Sequence, residues 1–341
     1  MSVLHLLGSA EDGGAETYFS QLTGALARAG QAQVAAVRAH AGRQASLAEA
    51  GVLAELCAFG GPLDWRTRRR VDHFAKAEKV QVILAWMNRA ARHSPTGAWR
   101  RIGRLGGYYN LKNYRGFDAL VGNTEEIRNW LVREGWPAER AHYIPNFATP
   151  GDAAPLDRAL FGTPDDAPLL LGMGRLHPSK AHDVSLRALQ RLPDAWLWIA
   201  GSGPLEAELK RLAAELGVAE RVRWLGWRTD ADALYRTADV CVFPSRFEPL
   251  GNVVIQAWAH GLPVVAAESV GPAALIHDGF DGRLVAVDDP EALAGAVREV
   301  LDDPALRYCL AERGRARVSS RFSERVVVSA WRELFAIHGA V

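Results

Sequence analysis

Three cysteines in 341 residues, Cys57, Cys241 and Cys309, stand far apart and form no CxxC pair, so no disulfide framework holds this chain together. That usage agrees with a reducing compartment. No apolar run approaches the roughly 20 residues of a membrane span, and Met1–Leu7 lacks the basic region of a signal peptide. A cytoplasmic protein is expected. The net charge is only +1, yet residues 1–150 carry 19 Lys and Arg against 13 Asp and Glu, leaving 21 against 26 for the rest. The N-terminal half is the basic one. Its densest stretches are Arg66, Arg68, Arg69 and Arg70, then Arg89, Arg92, Arg100, Arg101 and Arg104, several of them on expected helices. These suit solvated helix faces or peripheral attraction to an anionic membrane surface or acceptor. No motif for nucleic acid accompanies them, so that partner is not expected.

What is present is a chain with 49% hydrophobic residues, long enough for two cores of about 150 to 170 residues each. Strand-like and helical runs alternate from the first residue, the pattern of parallel α/β sheets. Strands are expected at 3–7, 33–37, 53–59, 80–86 and 119–121, with helices at 15–28 and 124–134. After Ile144 the stretch PNFATPGDAAPLD has no periodicity and reads as a linker. Further strands are expected at 169–172, 195–200, 222–225, 240–244 and 263–266, and a closing helix at about 323–337.

The most informative segment is EPLGNVVIQAWAHGLPVVA, which starts at Glu248. An acidic residue and a stiff Pro249 precede Leu250, Gly251 and Asn252, where a helix begins and its free N–H groups favour phosphate. Gly261 and Pro263 stop that helix before a buried strand. Upstream, GMGRLHPSKAHD sets Arg175 and Lys180 at a strand-to-helix junction, a pair of cations suited to a diphosphate. IAGSGP repeats the spacing of a dinucleotide fingerprint with Gly201 and Gly203, but Glu206 takes the place of the third glycine, which argues against a dehydrogenase. Asp230 and Asp232 form a DxD at a helix start, where capping and dipole complementarity account for them and no metal is expected.

The Glu248 segment resembles the EPxGxxxxEAxAxGxPVVA signature of retaining glycosyltransferases of the large GT4-like family, the glycosyltransferases group 1. GRLHPSK resembles the family's GRLxxxKG motif, with Ala181 in place of Gly. The GG loop of Gly13 and Gly14, the GxGP turn at Gly201 and Gly203, and the FLG-like segment before Trp227 and Arg228 extend the resemblance. It implies the GT-B fold: an acceptor-binding Rossmann-like domain over residues 1–150, a donor-binding one over 151–322, and a C-terminal helix, 323–341, returning to the first. It also implies transfer of a hexose from a UDP- or GDP-linked sugar to a glycan or glycolipid, without cofactor or metal, in the manner of bacterial lipopolysaccharide transferases. Glu248 would hold the sugar, Arg175 and Lys180 the diphosphate, and Trp227 and Arg228 would line the base pocket.

The signature's second Glu is Gln256 here, which would hold ribose without a carboxylate's charge. Asn88, Arg89, Tyr109 and Lys112, after a strand or among aromatics, are the acceptor candidates. A sugar-nucleotide-binding scaffold, with Gln256 marking decay of the site, and a GT-B epimerase are the alternatives.

Overall fold

The computed structural model describes residues 1–11, 13–61 and 63–339; Asp12 of the GG loop and the last two residues of the closing helix's expected range lie outside them. The chain forms two compact units. The N-terminal unit takes Met1–Asn146 and the segment from Glu324 onward, and the C-terminal unit takes Phe147–Ser323.

In the N-terminal unit the strands are β1 (Val3–Leu7), β2 (Gln33–Val37), β3 (Leu53–Leu56), β4 (Val82–Trp86), β5 (Arg100–Leu105), β6 (Ala119–Gly122) and β7 (Ala141–Tyr143). They form one parallel sheet in the order β3-β2-β1-β4-β5-β6-β7. Both faces are covered, so β1, β4 and β6 are buried at every position. The helix Glu324–Gly339 contributes Val327, Val328, Trp331, Leu334 and Phe335 to this unit's core. Arg28 pairs with Glu324 at 2.7 Å where that helix begins.

The C-terminal unit repeats the plan with β8 (Leu169–Met173), β9 (Trp196–Ala200), β10 (Val222–Gly226), β11 (Val240–Phe243), β12 (Val264–Ala267) and β13 (Arg283–Val285). Their order is β10-β9-β8-β11-β12-β13, again parallel. This doubly wound order reverses between β8 and β11, and such a switch point opens a crevice at the strands' C-terminal ends.

Three strands escape the sequence pattern: β5, β7 and β13. The first matters most. Arg100, Arg101 and Arg104, part of the basic stretches of which several residues were expected on helices, lie on β5, where alternation sets Arg101 on the face opposite Arg100 and Arg104. Arg100 pairs with Asp118 at 3.1 Å, Arg101 stacks 4.8 Å from the Phe117 ring, and Arg104 turns inward and is buried. Four arginines or glycines in RRIGRL masked its period of two. Among the described residues no helix is long and apolar enough to cross a membrane.

Candidate functional site

The C-terminal ends of β8 and β11 stand side by side because those strands pair in parallel register, Val240 with Leu170 and Cys241 with Leu171. Each continues into a loop that carries charge. After β8 the chain turns through Gly174 at φ +142°, passes Arg175, and makes a short turn at Pro178–Lys180. After β11 it runs through Ser245 and Arg246 to Glu248, then enters the helix Asn252–Ala259 through Gly251 at φ +89°. That left-handed angle is the reason for glycine at 251.

Two tethers hold these loops together. Arg246 grips Asp183 with both terminal nitrogens, at 2.9 and 2.6 Å, and donates to the Pro178 carbonyl at 3.0 Å. The Phe247 N–H donates to the Ser179 carbonyl at 3.3 Å. Burial would push the Asp183 carboxyl up, but the Arg246 guanidinium overcomes it and holds the group below its ordinary range. Lys180 and Glu248 meet as a consequence: the ammonium donates to Glu248 Oε2, and Nζ also lies 5.4 Å from the centre of the Phe243 ring. The other carboxylate oxygen accepts from the Gly251 N–H at 3.1 Å and the Leu250 N–H at 3.4 Å. Glu248 thus caps the helix entrance and neutralises Lys180 at once.

This corrects one expectation in detail. Of the two amides assigned to phosphate, Gly251 and Asn252, the first already serves the Glu248 carboxylate, together with that of Leu250. Asn252 opens the helix itself. Arg175 is exposed and forms no ion pair among the described residues, so its five donors face outward. Gly271 is a residue the sequence reading missed: its N–H donates to the Glu248 carbonyl at 2.7 Å, and a Cβ there would sit 2.6 Å from the Leu250 carbonyl carbon. Its signal was faint, a glycine between β12 and Pro272.

Gly201 and Gly203 have a packing task of their own. A Cβ on Gly201 would stand 1.9 Å from the Gly174 carbonyl oxygen, and one on Gly203 would stand 2.4 Å from that of Leu176. Their bareness lets the turn after β9 press against the Arg175 loop and fix it. Ala181, where the resembled motif has Gly, holds φ +53° at the entrance to the helix His182–Gln190. The departure therefore places a non-glycine residue in a left-handed conformation. Behind the loop, His182 shares its Nε2 with the Gly174 carbonyl at 3.3 Å, and burial pulls its pKa down to about 4.

Gln256 does not stand free. Its Oε1 accepts from the Tyr235 hydroxyl at 3.0 Å, and Tyr235 stacks on His260 with ring centres 5.2 Å apart. His260 Nε2 in turn lies 2.9 Å from Asp232, while Asp230 takes the Arg228 guanidinium at 2.8 Å and makes no side-chain capping bond. The expected capping by Asp230 is thus replaced by an ion pair two residues away. That pair occupies Arg228; Trp227 stands 65% exposed at the end of β10. No hydrogen bond joins either residue to the Lys180–Glu248 pair among the described residues.

In the N-terminal unit, Gly13 is extended at φ −171° before the helix Gly14–Arg28, so its conformation does not itself require glycine. A Cβ there would meet the Glu16 carboxylate at 2.7 Å. Asn88 and Arg89 follow Met87, which holds a strained φ of +62° after β4. Arg89 donates to the Gly8 carbonyl at 3.4 Å. Tyr109 is half-buried on the loop after β5, and Lys112 is exposed on the short turn Leu111–Tyr114. No hydrogen bond links these four to one another among the described residues.

Comparison with known proteins gives the family and the fold. The family model of glycosyl transferases group 1 matches residues 155–317. Over 96% of both chains the sequence is 37% identical to the lipopolysaccharide core biosynthesis glycosyltransferase LpsE of Rhizobium meliloti strain 1021, and over 98% of both it is 34% identical to LpsD of the same organism. In structure, Anabaena HepE, solved in complex with UDP, superposes with a TM-score of 0.86 across 98% of this chain and all of its own, at 21% identity. The two Rossmann-like sheets make the GT-B fold. With relatives similar along nearly its whole length, this chain belongs to the glycosyl transferases group 1 family.

Proposed function

We propose that this glycosyltransferase moves a hexosyl group, with retention of anomeric configuration, from a UDP- or GDP-linked sugar to a glycan or glycolipid hydroxyl during lipopolysaccharide core assembly. The observation that carries this reading is the Lys180–Glu248 pair seated on the entrance of the helix Asn252–Ala259. The names of LpsE and LpsD support the pathway, and the UDP in the HepE complex supports the donor class. The C-terminal unit binds the donor and the N-terminal unit the acceptor.

The chemistry follows from the charges. A diphosphate leaving the anomeric carbon gains negative charge as the bond breaks, and Arg175 with Lys180 meets it with preorganised cations. Lys180 keeps its position through Glu248, whose carboxylate also accepts from sugar hydroxyls. Retention by double displacement needs a carboxylate at the anomeric carbon. Glu248 is committed to Lys180 and the helix start, so attack on the face of the departing phosphate is the better account. The cations supply the charge a metal would, and Asp230 and Asp232 are engaged by Arg228 and His260.

The protein works in the cytoplasm, touching the inner membrane peripherally. Leu63 and Trp65, 90% and 62% exposed, directly precede the basic residues Arg66, Arg68 and Arg69, a composition suited to an anionic lipid surface. Sedimentation with anionic vesicles at low salt tests this, and failure to bind would remove the membrane from the account.

Calorimetry with UDP- and GDP-hexoses, followed by nucleotide release with candidate acceptors, tests the main reading. Glu248→Ala is expected to lower turnover at saturating donor by tenfold or more, roughly the scale of one lost electrostatic contact. A smaller loss would remove Glu248 from the reaction.

A further inference from the structure

Arg104 is buried to 1% exposure in the N-terminal unit, and no carboxylate answers it among the described residues. Its Nη2 donates to Asn146 Oδ1 at 2.5 Å, and the guanidinium carbon lies 4.5 Å from the centre of the Trp86 ring and 4.9 Å from that of Tyr18. Nε and Nη1 are equally buried and donate to nothing among the described residues. A cation out of water with two unused donors is costly, and a structural role alone would be met better by an apolar side chain of similar volume.

The unused donors converge with others. Two residues on, Gly106 leaves a bare point where a Cβ would stand 3.7 Å from Arg104 Nη1, 3.7 Å from Asn123 Nδ2 and 4.0 Å from the Tyr109 hydroxyl. The three nearest atoms to that point are therefore all hydrogen-bond donors from different segments: β5, the residue after β6, and the loop after β5. The oxygens of an anion seated around that point would lie close to these donors. Asn123 is itself buried, and its Oδ1 has no hydrogen-bond partner among the described residues. Gly106 and Gly107 are only half-buried and Tyr108 is exposed, so the point opens toward solvent at the C-terminal ends of β5 and β6. In a parallel sheet that is the ligand-bearing end.

We propose that Arg104, Asn123 and Tyr109 form an oxyanion site, and that the acceptor this enzyme glycosylates carries a carboxylate or a phosphate held there. The proposal rests on the glycosyl-transfer reading for the word acceptor, and on the geometry alone for the anion. A guanidinium can give an oxyanion two parallel hydrogen bonds, and here Nε and Nη1 remain for it. A neutral sugar's hydroxyls accept hydrogen bonds but bring no charge to balance the guanidinium.

The test is a titration of the whole chain, labelled with nitrogen-15, in which the Arg104 Nε–H resonance is followed with glucuronate, glucose 6-phosphate and glucose as probes. Either anion should shift that resonance, and glucose should not; glucuronate alone identifies a carboxylate acceptor, glucose 6-phosphate alone a phosphorylated one. Gly106→Ala is the decisive variant, since its Cβ makes only ordinary contacts and its backbone is not left-handed. It fills the oxygen's place and should weaken anion binding tenfold or more, with thermal melting as the check on its fold. Arg104→Lys, which keeps charge but loses the paired geometry, should weaken it less. Equal binding of glucose, no shift with either anion, or undiminished binding by Gly106→Ala overturns the site. UDP binding, read in the same samples, reports separately on the donor site, so a failure there is told apart from a failure here.

Discussion

Both units end their sheets in a cation, and the two cations are treated in opposite ways. Lys180 in the C-terminal unit is met by Glu248, which two backbone amides hold in place. Arg104 in the N-terminal unit is met by two aromatic faces and one amide oxygen. The first arrangement is self-neutralised and assembled by loops whose glycines admit no side chain. The second leaves charge unsatisfied in a place that glycine keeps open. One site is finished before any ligand arrives, and the other needs a ligand to complete it.

Glycine substitutions break this contrast most forcefully. Gly201→Ala drives a Cβ to within 1.9 Å of the Gly174 carbonyl at φ +152°, and should cost about 3 kcal/mol or more in urea unfolding. Gly106→Ala, with nothing nearer than 3.7 Å, should cost less than about 1 kcal/mol. Similar losses for the two would mean that the C-terminal loop is not held by its glycines.

Acid should weaken both units. Burial depresses His5 to about 3 in the N-terminal unit and His182 to about 4 in the C-terminal unit, from 6.5. A depressed histidine leaves stability intact above its unfolded pKa and lowers it as pH falls from 6.5 toward the folded value. Each group should remove about 1.4 kcal/mol per pH unit inside that window, His182 ceasing near 4 and His5 continuing lower. Unfolding free energies that stay constant from about pH 7 to about pH 5 would contradict the burial of both.

Gln256→Glu sharpens the picture of the donor side. The carboxylate keeps the acceptor that Tyr235 uses and adds charge toward a ribose hydroxyl, so nucleotide affinity should rise about fivefold, or about 1 kcal/mol. Unchanged affinity in calorimetry would place ribose recognition elsewhere. The smallest effect is expected from Ala181→Gly. Relief of φ +53° gains roughly 0.5–1 kcal/mol, and loss of a fully buried methyl offsets about as much, so the melting temperature should barely move.

The C-terminal unit was legible because its site is local. Glu248, Leu250, Gly251 and the helix they open are consecutive, and Arg175 and Lys180 share one loop. The partners of those residues were not legible. Arg246 gripping Asp183, Tyr235 reaching Gln256 and Gly271 under Glu248 join segments that are 21 to 63 positions apart, and periodicity carries no information across such gaps. In the N-terminal unit even the element type was missed at β5, where arginines hid the alternation.

From residue order alone came the alternation of strands and helices, the two-part division and the phosphate-suited loops, because local backbone preferences and hydrophobic period act over a few residues. Only the folded chain decided that Glu248 turns onto Lys180, that Gly201 and Gly203 face backbone, and that Arg104 points into the protein. Those outcomes depend on which strand ends become neighbours in a parallel sheet, a matter of long-range packing and the cost of burying charge.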